Sequence, residues 1–228
     1  MQQNYQIGAV ILAAGKGTRL GGSIPKQHRL LRGEPMYMAS LRVFASVAEI
    51  GEIALVVDKA HLEEVRSSLP GVLTGMESHK PVIHVVEGGA ERPDSVMAGL
   101  AAFSSGVRYV LVHDGARPYV TEQLVCRIAD AVTTYGSAIP CIRPRDTIRT
   151  AEHTLDRSTL YLVQTPQGFR RDILEYAYEQ AKENGFAGTD DASYVEQLGV
   201  RPHLVEGDPA NMKITIPGDL PEEEETPS

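Results

Sequence analysis

The sequence predicts an α/β fold built on a doubly wound, mostly parallel sheet. Three observations predict it. Short runs rich in Val, Ile and Leu recur along the chain, and near-continuous apolar runs mark strands buried on both faces, as in parallel sheets. Segments with apolar residues at three- and four-residue spacing lie between those runs, the mark of helices with one buried face. A glycine-rich turn closes the first run, in AVILAAGKGTRL at 9–20. Repeated βα units of this kind imply right-handed crossovers and a Rossmann-like layering, with ligands beyond the carboxyl ends of the strands.

Strands are expected at 7–13, 53–57, 82–86, 109–113, 138–142, 201–205 and 213–216, and helices at about 36–47, 61–69, 94–104, 122–135, 171–184 and 191–198. Within 122–135, Leu124, Val125, Ile128 and Val132 form one apolar face. The segment RPRDTIRTAEHTLDRSTLYL at 143–162 breaks the rhythm. It has no long helical face and reads as two short extended runs joined by polar residues, a β-arm leaving the sheet. Such an arm has too little core to stand alone, so it is expected to pack on another subunit. The remainder forms a single domain over 1–228, with a solvated acidic tail at about 220–228.

Composition narrows the function classes. A net charge of -8 with no Trp argues against general nucleic-acid binding, yet a small polyanion binds wherever a few Lys and Arg converge on one cleft. No apolar run approaches the ~18 residues of a membrane span. Residues 1–6 lack the regions of a signal peptide. Cys126 and Cys141 form no ligand pattern or disulfide framework. A cytoplasmic location is expected.

The turn at 13–20 looks like a phosphate loop. It is not a P-loop, because Lys16 precedes Gly17 and no Ser or Thr follows a Gly-Lys pair at the required place. A dinucleotide fingerprint fails as well, since Leu20 stands where the third glycine would be. That failure, with Arg19 and Lys26 nearby, disfavours a nicotinamide-dependent reductase. A strand followed by Gly15 and Gly17 remains, which lets backbone N–H groups approach phosphates closely.

L-A-A-G-x-G-x-R-L with Pro25-Lys26 after it is similar to the sugar-phosphate nucleotidyltransferase signature. Further stretches narrow it: EGGAERPDSV (87–96), VHDGARP (112–118), RDTIR (145–149), DRSTLYLVQTPQGF (156–169), GTDDAS (188–193) and VEGDPANMKIT (205–215). In this order they resemble the 2-C-methyl-D-erythritol 4-phosphate cytidylyltransferase family over about 7–219. Ribitol-5-phosphate cytidylyltransferases share most of these motifs and are the alternative.

The resemblance implies transfer of CMP from CTP to methylerythritol phosphate with release of pyrophosphate, on a nucleotidyltransferase-type fold, with Mg2+ held mainly by the CTP phosphates. It implies that Ala13, Ala14, Gly15 and Gly17 hold the nucleotide. Arg19 and Lys26 would contact the triphosphate and, with Lys213, act at the reacting phosphate. Gly89 and Ala90 would offer backbone groups to cytosine, and Ser95 its hydroxyl. Many members carry Asp in place of Ala90. Asp114 suits ribose or metal-water contacts, beside Gly115, where many relatives have Ala. Arg117, Thr189 and Lys213, together with Asp114, would face the sugar phosphate. Thr147 and Arg157, on the arm, would reach the substrate bound to the other subunit of a homodimer. Either Thr189 or Asp190 would cap the following helix, and His113 is expected to be a buried, hydrogen-bonded strand histidine. A non-catalytic nucleotide-binding module would be expected to lack one of the cations Arg19, Lys26 and Lys213; all are present.

Overall fold

The computed structural model describes residues 6–15, 30–31, 33–72 and 80–219. Strand β1 (Ile7–Ala13) is followed by the short pair β2 (Leu30–Leu31) and β3 (Glu34–Pro35), then α1 (Met36–Ser46), β4 (Ile50–Val57), α2 (Leu62–Val72), β5 (Val82–Glu87) and α3 (Arg92–Ala101). Next come β6 (Tyr109–Asp114), α4 (Glu122–Tyr135), β7 (Ser137–Ile142), β8 (Leu162–Val163), β9 (Gln167–Arg170), α5 (Arg171–Asn184), α6 (Asp191–Glu196) and β10 (His203–Glu206). Among the described residues the main sheet runs β10-β7-β9-β6-β1-β4-β5. Every neighbouring pair along it is parallel except those made by β9, which lies antiparallel between β6 and β7.

The alternation of side chains along β1 explains its burial. Ile7, Ala9, Ile11 and Ala13 face the core shared with Leu41 and Phe44 of α1 and with Leu124 and Ile128 of α4. Val10 faces the opposite core, with Val96 and Leu100 of α3 and Leu174, Ala177 and Tyr178 of α5. A period of two therefore serves two layers of helices. Each large side chain so buried contributes about 1.5–3 kcal/mol, which is why this strand is apolar almost throughout. Helix α4 starts where the Thr121 hydroxyl accepts from the Leu124 N–H at 3.3 Å, satisfying one orphan donor of the first turn.

Strand order reverses beside β1. The chain goes from β1 outward to β4 and β5, then returns to lay β6 on the other flank. The carboxyl ends of β1 and β6 meet there in parallel register, with Leu12 opposite Asp114. In open α/β sheets that reversal leaves a crevice for a ligand.

Several sequence expectations need correction. The strand expected at 213–216 does not form: the segment bonds the loop after β6, through the Ile214 N–H to the Ala116 carbonyl at 2.9 Å. Ile214 is buried there in a small cluster with Leu31 and Met36. The arm has one isolated bridge, Arg149 with Thr154, and a 3-10 turn at Arg157–Thr159 rather than two continuous extended runs. Its second run rejoins the sheet as β8, antiparallel to β7. The helix expected at 61–69 begins one residue later, after a 3-10 turn at Lys59–His61. Strand β9 was not expected, because QGFR is too short and too polar to be told from a loop. The expected tail at 220–228 lies outside the described residues.

Candidate active site

Gly17, Arg19 and Lys26 lie outside the described residues. The remaining expected cleft residues come largely together. β1 delivers Ala13, then Ala14 and Gly15, to the crevice. β6 delivers Asp114, its last residue. The next turn folds back tightly, the Gly115 N–H donating to the Leu12 carbonyl at 2.9 Å. A Cβ on Gly115 would sit 2.9 Å from that same oxygen and 3.0 Å from the Tyr37 Cβ. Close approach, rather than the backbone freedom suggested by the Gly-for-Ala departure, is what Gly115 provides.

The turn after β5 is packed in the same way. A Cβ on Gly88 would overlap the Ala14 Cβ, and one on Gly89 would overlap Asp94. The Gly89 N–H donates to the Ser95 hydroxyl at 3.1 Å, and Ser95 is buried. The Ser95 hydroxyl thus holds the Gly89 amide, and the Gly89 carbonyl and the Ser95 O–H are not used in that bond. Exposed Ala90 keeps its backbone at the rim.

Asp114 is the electrostatic centre. Its carboxylate is 13% exposed and accepts from Lys213 Nζ at 2.6 Å on one oxygen and from an Arg92 terminal nitrogen at 3.4 Å on the other. Burial works against its charge, but Arg92 and Lys213 overcome burial and hold its pKa well below the usual carboxylate range. Arg92 also forks onto Asp191, at 2.8 and 2.7 Å, and the Tyr178 hydroxyl donates to that same carboxylate. Nothing in the motif reading marked Arg92, Asp191 or Tyr178 as connected. The signal was present only as Arg92 within GGAERPD and Asp191 within GTDDAS.

Arg117 lies in the turn after Asp114, its N–H donating to the Asp114 carbonyl at 2.9 Å. One terminal nitrogen donates to the Asn211 carbonyl at 2.8 Å, and its buried Nε has no hydrogen-bond partner. His113 is fully buried, between the Thr165 hydroxyl at 3.2 Å and the Arg117 carbonyl at 3.3 Å. Burial pushes its pKa down to about 4, so the ring is neutral near pH 7 and is structural, as expected.

The TPQ stretch ties the motifs together, and sequence reasoning missed how. The Thr165 hydroxyl accepts from the Asp114 N–H at 3.1 Å, and the Asn211 side chain donates to the Thr165 carbonyl at 2.8 Å. Gln164 exchanges hydrogen bonds with the backbone of Asp208 at 2.7 and 3.1 Å. Gln167 donates to Asp190 at 2.8 Å and accepts from the Ala192 N–H at 2.9 Å. Asp190 rather than Thr189 caps α6, accepting from the Ser193 N–H at 3.0 Å, and Thr189 is left exposed just before it.

Thr147 and Arg157 are not brought to this cleft. Both are exposed on the arm, and Arg157 donates to the Arg145 carbonyl at 2.6 Å. Among the described residues no three of His, Cys, Asp and Glu cluster as a metal site. Nor is any helix there long and apolar enough to cross a membrane.

A doubly wound sheet whose switch point gathers glycine turns, a carboxylate and flanking cations has the architecture of an α/β nucleotidyltransferase. The family model of 2-C-methyl-D-erythritol 4-phosphate cytidylyltransferase matches residues 7–225, and the chain belongs to that family. A 2-C-methyl-D-erythritol 4-phosphate cytidylyltransferase of Geobacillus kaustophilus is 42% identical over 222 residues, spanning 95% of this chain and 94% of the relative. One of Syntrophus aciditrophicus is 39% identical over 93% of this chain and 92% of its own length. Among solved structures, the Thermus thermophilus cytidylyltransferase superposes with a TM-score of 0.74 at 32% identity, covering 94% of this chain and 95% of that one. The 4-diphosphocytidyl-2C-methyl-D-erythritol synthase of Anaerococcus prevotii superposes with a TM-score of 0.78 at 28% identity, covering 95% of both chains.

Proposed function

We propose that this cytidylyltransferase moves CMP from CTP to 2-C-methyl-D-erythritol 4-phosphate, giving 4-diphosphocytidyl-2-C-methyl-D-erythritol and pyrophosphate for isoprenoid precursor synthesis in the cytoplasm. The observation that carries the reading is the near-full-length family match over a cleft with Asp114 held between Lys213 and Arg92.

An oxygen of the sugar phosphate attacks the α-phosphorus of CTP, and the bond to the pyrophosphate oxygen breaks. That nucleophile is ionised near neutral pH, so no general base is required. A neutral, fully buried His113 agrees with this. Catalysis rests on positioning and charge stabilisation. Arg19 and Lys26 are the expected triphosphate cations, and Lys213 is the cation for the reacting phosphate. Arg117 is the guanidinium expected for the sugar phosphate, because an arginine fork matches that group. Backbone groups of Ala13, Ala14, Gly15 and Gly17 would hold the nucleotide, the Gly89 carbonyl and the Ala90 backbone the cytosine edge, and Thr189 the sugar phosphate.

The donor set fits a magnesium ion bound mainly through CTP phosphates, because Mg2+ commonly takes only one or two protein carboxylates, and Asp114 offers one at the crevice. Bound Mg2+ would offset charge on the triphosphate. Thr147 and Arg157 would act from a second copy. Tyr161 and Leu204 are exposed and line one groove beside the arm together with Arg143, Arg145 and Glu206, a mixed surface that a second copy would cover. The test is incubation with CTP, Mg2+ and methylerythritol phosphate, with phosphorus NMR of the products. The new diphosphate diester with one pyrophosphate per turnover is expected; unchanged CTP refutes the proposal.

A further inference from the structure

Arg92 is a cation at the cleft that no phosphate-binding role accounts for, because its guanidinium is already engaged on two sides. Its forked bond to Asp191 is bidentate, and the Asp191 side chain is fully buried. The Tyr178 hydroxyl donates to the oxygen of Asp191 that receives one arm of the fork. These residues come from separate elements: Arg92 opens α3, Asp191 opens α6, and Tyr178 lies on the buried face of α5. One terminal nitrogen of the same guanidinium reaches past Asp191 to Asp114. The result is a chain of contacts, Tyr178 to Asp191 to Arg92 to Asp114 to Lys213, which ends at the crevice.

We propose that Arg92, Asp191 and Tyr178 are positioning residues for the CMP transfer, fixing the rotation of the Asp114 carboxylate from behind. Lys213 approaches Asp114 from the exposed side and is 41% exposed. It is the partner free to change when phosphates enter. Arg92 is not, because a guanidinium held by a bidentate buried carboxylate has one geometry. Asp114 therefore keeps one oxygen fixed on the protein while the other exchanges Lys213 for substrate contacts. This cation couples the α3–α5–α6 face of the molecule to the crevice.

The inference rests on Asp114 acting in the cleft, and the experiment separates the two. Steady-state kinetics would compare wild type with Arg92→Lys, Asp191→Asn and Tyr178→Phe, each with its thermal midpoint. Lysine keeps the charge of Arg92 but cannot fork. Arg92→Lys and Asp191→Asn are expected to lose about tenfold or more of kcat/KM for CTP, the scale of losses from misplaced groups. Tyr178→Phe should lose less, with its fold intact. A structural role alone would lower the thermal midpoints and leave kcat/KM per folded enzyme unchanged, and that result overturns the proposal. A crystal structure of Asp191→Asn reads the geometry whether or not the wild type turns over methylerythritol phosphate. The Arg92 guanidinium should lose its fork and change its orientation on the Asp114 carboxylate; an unmoved Arg92–Asp114 pair also overturns the proposal.

Discussion

The ammonium of Lys213 donates to the carboxylate of Asp114 at 2.6 Å, joining residues 99 apart in the chain. Asp114 ends a central strand, whereas Lys213 lies in a loop segment whose next residue, Ile214, bonds the loop after that strand. The pair stores a cation at the crevice while leaving it able to turn toward phosphate. Lys213→Ala should lower kcat by about 10²–10³, the usual loss for one transition-state charge donor. Stability should change by about 1 kcal/mol or less, because Lys213 is 41% exposed and Asp114 retains Arg92. Stopped-flow turnover and chemical denaturation of the one variant check both halves. Full activity would contradict the role.

Thr165 shows how a motif with no reactive group supports the site. Its hydroxyl takes the Asp114 N–H and contacts the His113 ring. Thr165→Val keeps the shape and leaves that amide without its partner, which should cost about 1–3 kcal/mol. Thr165→Ser should recover most of it. Urea denaturation of the three proteins measures the difference, and equal stabilities would remove the hydroxyl from the account.

His113 predicts a pH dependence of stability. Its folded pKa is pushed down to about 4, chiefly by burial, against about 6.5 in an unfolded chain. Between those values the unfolded chain binds a proton that the native chain does not. Stability is therefore complete above the window and falls as pH drops through it, by up to about 3 kcal/mol. Unfolding free energies of wild type and His113→Gln from pH 7.5 to pH 4.5 isolate the effect. The variant should show the smaller fall; parallel curves would contradict the buried neutral ring.

Much of this fold was legible because its strands announce themselves. The expected span for β1 coincides with the observed Ile7–Ala13, and those for α4 and α5 with Glu122–Tyr135 and Arg171–Asn184. The helices α4 and α5 each turn one apolar face to one core, and β1 is apolar on both faces because it serves two. β9 was not legible: Gly168 and Gln167 give it no strand pattern, and its place between β6 and β7 depends on partners far away in sequence. The site divides in the same way. Asp114 and Lys213 stood in recognisable strings, but the Arg92 contacts to Asp191 and Asp114 span 99 and 22 residues. Local spacing carries no trace of them.

The arm supplies a prediction about assembly. Arg157 bonds within the arm and not to its own cleft. Lys26→Ala and Arg157→Ala are each expected to be inactive. If Arg157 acts in trans, a mixed dimer carries one intact site, and mixing with confirmed subunit exchange should restore up to about a quarter of wild-type activity for random pairing and independent sites. No regained activity would place Arg157 in cis or outside the reaction.

CMP transfer is expected to be specific for the methylerythritol phosphate. It is tested most directly by measuring kcat/KM with CTP and either methylerythritol 4-phosphate or ribitol 5-phosphate, under one assay of pyrophosphate release. Turnover of the first is expected, with a kcat/KM for the second at least about 100-fold lower, the scale on which a pocket shaped for an apolar group rejects an added hydroxyl. Equal or faster transfer to ribitol 5-phosphate, or no transfer to methylerythritol 4-phosphate, would contradict it.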